Sequence, residues 1–227
     1  MKYEIFGGNL PAVTINLDSG ESIYTQSGGM TWMTENVSMS TNMDGGLMKG
    51  LGRMFTGESI FMATYTAEAP GQSFTAASSF PGEIVDLDIA NGPYICQKNA
   101  FLCAETTVTL SAYVNPGIKA GLFGGEGFLL QELSGSGHAF LEIDGSVREI
   151  SLAPGEKLKV NTGNVAAFEK TVGYSVTRIK GFKNILFGGE GLFLTTVEGP
   201  GKVFLQTMTM PGFVSRIAPF LPKTSSN

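Results

Sequence analysis

The sequence FTGES at residues 55–59 returns as FGGEG at residues 123–127 and as FGGEG again at residues 187–191. Each copy places a glutamate three residues after a phenylalanine, and each is followed by an apolar run and a glycine-containing turn. A pattern that recurs at intervals of roughly 65–70 residues indicates repeated supersecondary units. This stretch therefore indicates that the chain is built from repeated units.

The surroundings of the glutamate turn also recur. Two alternating segments around a turn glycine precede each copy, as in VTINLDSGESI at 13–23. After each copy, a glycine lies three residues before a second phenylalanine. We therefore predict three pseudo-equivalent repeats and a short C-terminal tail. The predicted boundaries are approximately 1–80, 81–146 and 147–211 for the repeats and 212–227 for the tail. Since no linker-like stretch separates the copies, residues 1–227 are expected to form a single domain.

Short runs such as TTVTLSAYV at 106–114 are rich in β-branched and aromatic residues and are bounded by Gly, Pro, Asn or Ser. Such runs predict strands. The fold class is therefore all-β, and three repeats around a pseudo-threefold axis would form one closed β-sandwich or barrel, which removes exposed sheet edges. In the tail, the apolar residues are spaced as on one helical face, and two prolines limit the helix to a turn or two. The apolar residues are Phe213, Val214, Ile217, Phe220 and Leu221, and the prolines are Pro219 and Pro222.

Composition limits the class of protein. With 42% hydrophobic and 15% charged residues the chain can bury a core, and a net charge of −5 gives no drive toward nucleic acid. The N-terminal sequence lacks the apolar segment of a signal peptide, and no apolar run is long enough for a transmembrane helix. We therefore expect a cytoplasmic protein in which Cys96 and Cys103 are reduced and buried.

The stretches SGGMTW and MDGGLMKGLGRMFTGESIFM, with the repeated FGGEG, resemble the altered inheritance of mitochondria twenty-four family over nearly the whole chain. The resemblance implies a fold similar to that of the tryptophan RNA-binding attenuator protein, a compact relative of the double-stranded β-helix that often assembles as trimers. The mitochondrial relatives are associated with inner-membrane organisation and bring no catalytic residue set. The resemblance thus implies a non-enzymatic homo-oligomer, with a trimer favoured.

Two interpretations apply to Glu58, Glu126 and Glu190. A ring of three carboxylates could bind a cation, or each could accept hydrogen bonds from the backbone of its own glycine turn. Repetition in every copy favours structural turn acids, because an enzyme seldom needs three identical sites. Histidine-based metal or nucleophilic catalysis would have to use His138, the only histidine, which the sequence SGSGHAF places in a solvated turn. We therefore predict no enzymatic activity, no cofactor and no metal.

Basic residues lie among glycines and apolar residues beside each glutamate turn. They predict an interaction face where three loops meet, formed by Lys49, Arg53, Phe55, Lys119, Phe123, Lys180, Lys183 and Phe187. Such a face suits a protein partner or an anionic membrane surface; the alternative is that the apolar residues point inward beside solvated lysines. The predicted function is a scaffold or membrane-associated adaptor, peripheral to the membrane. The alternative is a small-ligand-binding or enzymatic β-barrel, and RNA binding ranks below both.

Overall fold

A computed structural model describes five stretches of the chain, namely residues 1–26, 28–41, 62–114, 129–178 and 193–222. Within them the chain forms 19 β-strands and one α-helix. The predicted all-β class is therefore confirmed. None of the helices in these stretches is long and apolar enough to cross a membrane.

The described part of residues 1–80 contains seven strands. Where buried and exposed side chains alternate along a strand, one face of the strand packs on a core. The seven strands are β1 (Lys2–Phe6), β2 (Ala12–Leu17), β3 (Ser22–Gln26), β4 (Met30–Met33), β5 (Val37–Thr41), β6 (Met62–Ala67) and β7 (Gln72–Ala77). Residues 81–146 contain β8 (Gly82–Asp88), β9 (Tyr94–Gln97), β10 (Phe101–Glu105), β11 (Val108–Tyr113), β12 (Leu130–Gly135) and β13 (His138–Asp144). The remaining strands are β14 (Val147–Leu152), β15 (Lys157–Asn161), β16 (Val165–Glu169), β17 (Gly173–Arg178), β18 (Phe193–Glu198) and β19 (Gly201–Gln206).

The strands form four antiparallel sheets. Sheet I has the order β1-β2-β7-β4, and sheet II has the order β5-β6-β3-β10-β13-β8. Sheet III has the order β11-β12-β9-β16-β19-β14, and sheet IV has the order β15-β18-β17. In the part of the chain described, none of these sheets closes on itself. The prediction of a closed barrel is therefore wrong, because each sheet ends on two edge strands instead of returning to its first strand.

Three core clusters fill the spaces between successive sheets. Phe74 of sheet I packs with Phe140 of sheet II, Leu141 of sheet II packs with Leu133 of sheet III, and Phe168 of sheet III packs with Val197 of sheet IV. Sheets II and III each pack one face on one cluster and the opposite face on the next cluster. The sheets are therefore layered in the order I, II, III, IV. The ends of this series are sheets I and IV.

The predicted turn glycines lie between two successive strands in each region, namely between β2 and β3, between β8 and β9, and between β14 and β15. Gly20, Gly92 and Gly155 have φ angles of +86°, +136° and +77°. These angles are in the region that residues with a Cβ rarely adopt. The predicted pattern of alternating strand, glycine turn and second strand is therefore confirmed.

Candidate interaction surfaces

The interaction face and the turn acids predicted from the sequence lie outside the described residues. This applies to Lys49, Arg53, Phe55, Lys119, Phe123, Lys180, Lys183 and Phe187 and to Glu58, Glu126 and Glu190. The segments that contain them, 42–61, 115–128 and 179–192, each connect two paired antiparallel strands. These strand pairs are β5 with β6, β11 with β12, and β17 with β18. The face remains a prediction, and the hairpins fix the two ends of each segment.

The C-terminal helix α1 (Met210–Ile217) is formed by the end of the chain that the sequence predicts as a helical turn. Thr209 caps it, since its Oγ1 accepts a hydrogen bond from the Gly212 N–H at 3.2 Å. Pro211 lies in the first turn, where a missing N–H costs nothing. A 3₁₀ turn at Ala218–Phe220 follows. The helix is thus locally well specified, although it has only about two turns.

Helix α1 keeps its apolar side chains exposed. No residue of the helix is buried. The ring of Phe213 lies 4.7 Å from the ring of Phe80, in the connection between β7 and β8, and attaches the helix to the rest of the protein. Met210, Val214 and Ile217 are four and three residues apart and therefore lie on one face. They are 41%, 51% and 38% exposed. We call this face, together with the exposed Phe220 and Leu221 that follow it, the tail stripe.

A second exposed apolar surface lies on sheet I. Trp32 of β4, the only tryptophan in the sequence, is 49% exposed, and its ring lies 6.3 Å from the ring of Phe6 on β1. Leu10, in the turn that follows β1, is also exposed. Large aromatic side chains of this kind are enriched where proteins contact partners. This surface was not predicted from the sequence, because alternation alone does not show which strand lies at the end of a sheet.

The prediction that His138 lies in a solvated turn is wrong. His138 is the first residue of β13, and its Nδ1 lies 2.8 Å from Oδ1 of Asp86 on the adjacent strand β8. The Tyr3 hydroxyl donates a hydrogen bond of 2.6 Å to the other carboxylate oxygen of Asp86. This bond, with partial burial, raises the pKa of Tyr3 to about 12.

The rings of Tyr3, His138 and Phe140 also pack together. The Tyr3 ring centroid lies 5.6 Å from that of His138 and 4.9 Å from that of Phe140. The cluster therefore joins β1 of sheet I to β8 and β13 of sheet II. Its aromatic packing and its hydrogen bonds account for the position of the single histidine.

The two cysteines behave as predicted. Cys96 on β9 and Cys103 on β10 are both free thiols with no exposed surface. Burial raises the pKa of Cys96 to about 12 and raises that of Cys103 as well. Thiolates are the reactive form of cysteine, so both residues serve as core side chains.

One shallow groove is formed by the chain around residues 91–94 and 169–171 and has a volume of about 260 Å³. Its charged side chains already have partners, because Lys170 Nζ lies 2.8 Å from Glu132 Oε1 and Glu169 Oε1 lies 3.5 Å from the Tyr94 hydroxyl. Ligand pockets usually enclose about 300–1,000 Å³. Among the described side chains, no group of three or more His, Cys, Asp and Glu residues could hold a metal ion.

These features define a layered, mainly β protein whose exposed apolar residues lie on a terminal helix and on the end of a sheet. A crystal structure of the protein SPYM3_0169 from Streptococcus pyogenes has the same fold, with a TM-score of 0.77 and 25% identity over 97% of this chain and 99% of that chain. The uncharacterized protein M6_Spy0233 of Streptococcus pyogenes serotype M6 is 31% identical over 96% of this chain and 89% of its own length. Residues 3–208 match the family described as "Mitochondrial biogenesis AIM24". The chain belongs to this family, as the resemblance predicted.

Proposed function

We propose that the protein is a non-enzymatic scaffold or membrane-associated adaptor that binds through its surface. The observation that carries this proposal is the tail stripe. A helix that exposes Met210, Val214 and Ile217 on one face, and is attached by Phe213, has the form of an element that binds a further surface. The packed interior of the sheets supports the same proposal, since the core between them is filled by large side chains such as Phe140 and Phe168.

The architecture that we propose for this scaffold is three equivalent six-stranded units. The same four antiparallel pairs recur in each third of the chain. They are β2–β7, β4–β7, β3–β6 and β5–β6 in the first, β8–β13, β10–β13, β9–β12 and β11–β12 in the second, and β14–β19, β16–β19, β15–β18 and β17–β18 in the third. Neighbouring units are joined by two further pairs, β3–β10 and β9–β16. We propose that such chains assemble as homo-oligomers, with a trimer as the expected form.

A binding experiment with two arms tests the adaptor role. The first arm measures co-sedimentation with vesicles of phosphatidylcholine alone or mixed with phosphatidylserine, and the second measures capture of partners from a membrane-containing lysate. Val214→Asp places a charge in the tail stripe. Val114→Asp is the matched control, because Val114 is 76% exposed and belongs to a different strand region.

Loss of binding with Val214→Asp but not with Val114→Asp supports the proposal. If Val214→Asp loses binding only to anionic vesicles, the tail stripe binds a lipid surface. If it loses binding only to a captured protein, the tail stripe binds a protein partner. Charge reversal at Lys49, Arg53 and Lys119 then tests whether the predicted interaction face contributes to the same binding. Binding in neither arm, or binding that Val214→Asp leaves unchanged, overturns the proposal for the tail stripe.

A further inference from the structure

In the described part of the chain, two strands at opposite ends of the layered series each have one edge without a neighbouring strand. The corresponding strands elsewhere in the chain are paired along that edge. β4 is an edge strand of sheet I, and β15 is an edge strand of sheet IV. In the proposed three-unit plan, β4 corresponds to β10 and β16, and β15 corresponds to β3 and β9. The counterparts form the junctions β3–β10 and β9–β16. Within the described residues, only the third junction of this kind is missing.

The two junctions inside the chain use the same register. Cys103 is opposite Thr25 and Ala104 is opposite Tyr24 in the first junction. Ala167 is opposite Cys96 and Phe168 is opposite Ile95 in the second junction. Each junction strand has a register shift against its own unit just before the paired residues, between Phe101 and Cys103 in β10 and between Val165 and Ala167 in β16. Such a shift bends a strand and re-aims its side chains.

β4 has the same irregularity, between Met30 and Trp32 in its pairing with β7. Trp32 therefore occupies the position of Cys103 and Ala167. On the other side of the junction, Thr25 and Cys96 are the second-to-last residues of β3 and β9. Val160 is the second-to-last residue of β15. The open edges of β4 and β15 therefore share the features of the strands that form the junctions β3–β10 and β9–β16.

We propose that β4 of one copy pairs antiparallel with β15 of a second copy of this chain, with Trp32 opposite Val160, Met33 opposite Lys159 and Thr34 opposite Leu158. This inference rests on the three-unit plan proposed above. Continued by one residue, the register places Glu35 opposite Lys157. Lys157 Nζ already lies 3.1 Å from Glu198 Oε2, so Glu35 would bring a second carboxylate to this lysine. Opposite charges at directly opposed positions stabilise a strand pair.

Burial supports this occupant. Cys103 and Ala167 are 0% and 1% exposed, whereas Trp32 is 49% exposed. Cys103 lies in the core between sheets I and II and Ala167 lies in the core between sheets II and III, so each completes the core of the unit before it. By the same geometry, Trp32 packs beside Val160 on the core between sheets III and IV of the second copy.

The order of the layers indicates that β4 pairs with β15 of a second copy and not with β15 of its own chain. Each core cluster joins two successive sheets, and in the described residues no cluster joins sheet I to sheet IV. A junction between β4 and β15 is head-to-tail, because the two partners use different surfaces. Head-to-tail contacts generate rings when the rotation closes, and this is how an expected trimer would be built.

Cross-linking of the full chain tests the register. Residues directly opposite one another have Cβ atoms about 4.5–5.5 Å apart, which a disulfide can bridge with a small adjustment. Met33→Cys with Lys159→Cys should form dimers and larger oligomers on mild oxidation, seen on gels without reductant. Met33→Cys with Val160→Cys is the slipped control, because a shift of one residue puts the two thiols on opposite faces. The native thiols are buried and do not interfere.

Trp32 reports the same event without cross-linking, because the sequence contains one tryptophan. Wild-type protein should show a blue shift of tryptophan emission as its concentration rises, with a matching increase in mass by light scattering. Trp32→Ala should weaken association by tenfold or more, while Val114→Ala leaves it unchanged. The folded state of each variant is checked by circular dichroism.

Three outcomes overturn the pairing. They are a disulfide formed only within one chain, a monomer at every concentration, and equal cross-linking by the slipped control. The vesicle and capture experiments separate this result from the adaptor role. If stripe-dependent binding persists in a protein that stays monomeric, the pairing fails and the proposed function stands.

Discussion

Gln131 is a buried polar residue whose replacement tests how the interior of the protein is packed. Its side chain lies on β12 opposite Cys96 of β9 and is fully buried. Neither Nε2 nor Oε1 has a hydrogen-bond partner among the described residues. A buried polar group without a partner costs about 1–3 kcal/mol. Replacement by an apolar side chain of similar length should therefore stabilise the protein.

The variant Gln131→Met keeps the length of the side chain and removes both polar atoms. We expect an increase of about 1–3 kcal/mol in the free energy of unfolding. For a chain of this size, one kcal/mol shifts Tm by about 2–4 °C, so Tm should rise by roughly 2–12 °C. Thermal unfolding followed by circular dichroism measures the shift. Urea unfolding should show a higher midpoint with an unchanged slope.

Gln206 supplies the matched control, because it is also buried but is fully engaged. Its Nε2 donates to the Gly163 carbonyl at 2.8 Å, and its Oε1 accepts from the Asp144 N–H at 3.3 Å. Gln206→Met should lower Tm. A lower Tm for Gln131→Met as well would refute the reasoning, since it would mean that Gln131 is satisfied, for example by a buried water.

Three further predictions concern individual side chains. A thiol reagent at pH 8 should label neither Cys96 nor Cys103 in the native protein and both after unfolding, because burial keeps both thiols protonated; rapid labelling of one native thiol would contradict this. Burial, with the nearby negative charge of Glu142, raises the pKa of Asp144, so the folded protein binds more protons between the unfolded and folded values and stability falls as pH rises through that window. Asp144→Asn should thus raise Tm at pH 7, with the gain lost below the unfolded pKa of about 3.9, and a gain that persists at low pH would exclude this cause. A Cβ at Gly82 would overlap the backbone of β13, so Gly82→Ala should destabilise the fold by about 1–3 kcal/mol, whereas Gly173→Ala meets only ordinary contacts and should leave Tm nearly unchanged.

The strands could be predicted from the sequence because their signals are local. Alternation of apolar and polar residues determines which face of a strand such as β2 packs inward, and Gly20 and Gly155 mark reversals that need a positive φ. The helical spacing of Val214 and Ile217 likewise predicted a helix in the tail. Each of these predictions depends only on residues that are close together in the chain, so a single sequence is enough to make it.

Closure of the sheets and exposure of the tail depend on distant parts of the chain. Whether a sheet returns to its first strand is set by twist and curvature accumulated over many strands, and no local pattern encodes it. The position of His138 was missed for a related reason. The Gly- and Ser-rich sequence before it does form a turn, which ends at Gly137 with φ of +98°, but the pairing of His138 with Asp88 on β8 begins a strand at the next residue.

The residues on the two open edges differ from their counterparts in a way that limits which strand can pair with them. Tyr24 and Ile95, which face partners inside the chain, are aromatic or aliphatic, whereas Lys159 of β15 is charged and exposed. Lysine on an edge strand opposes indiscriminate pairing. It is compatible with β4, because the carboxylate of Glu35 can approach Lys157 while the long stem of Lys159 packs beside Met33. The lysines therefore restrict the open edge to a matching partner, and exchanging Glu35 for Lys should weaken the head-to-tail contact more strongly at low salt than at high salt.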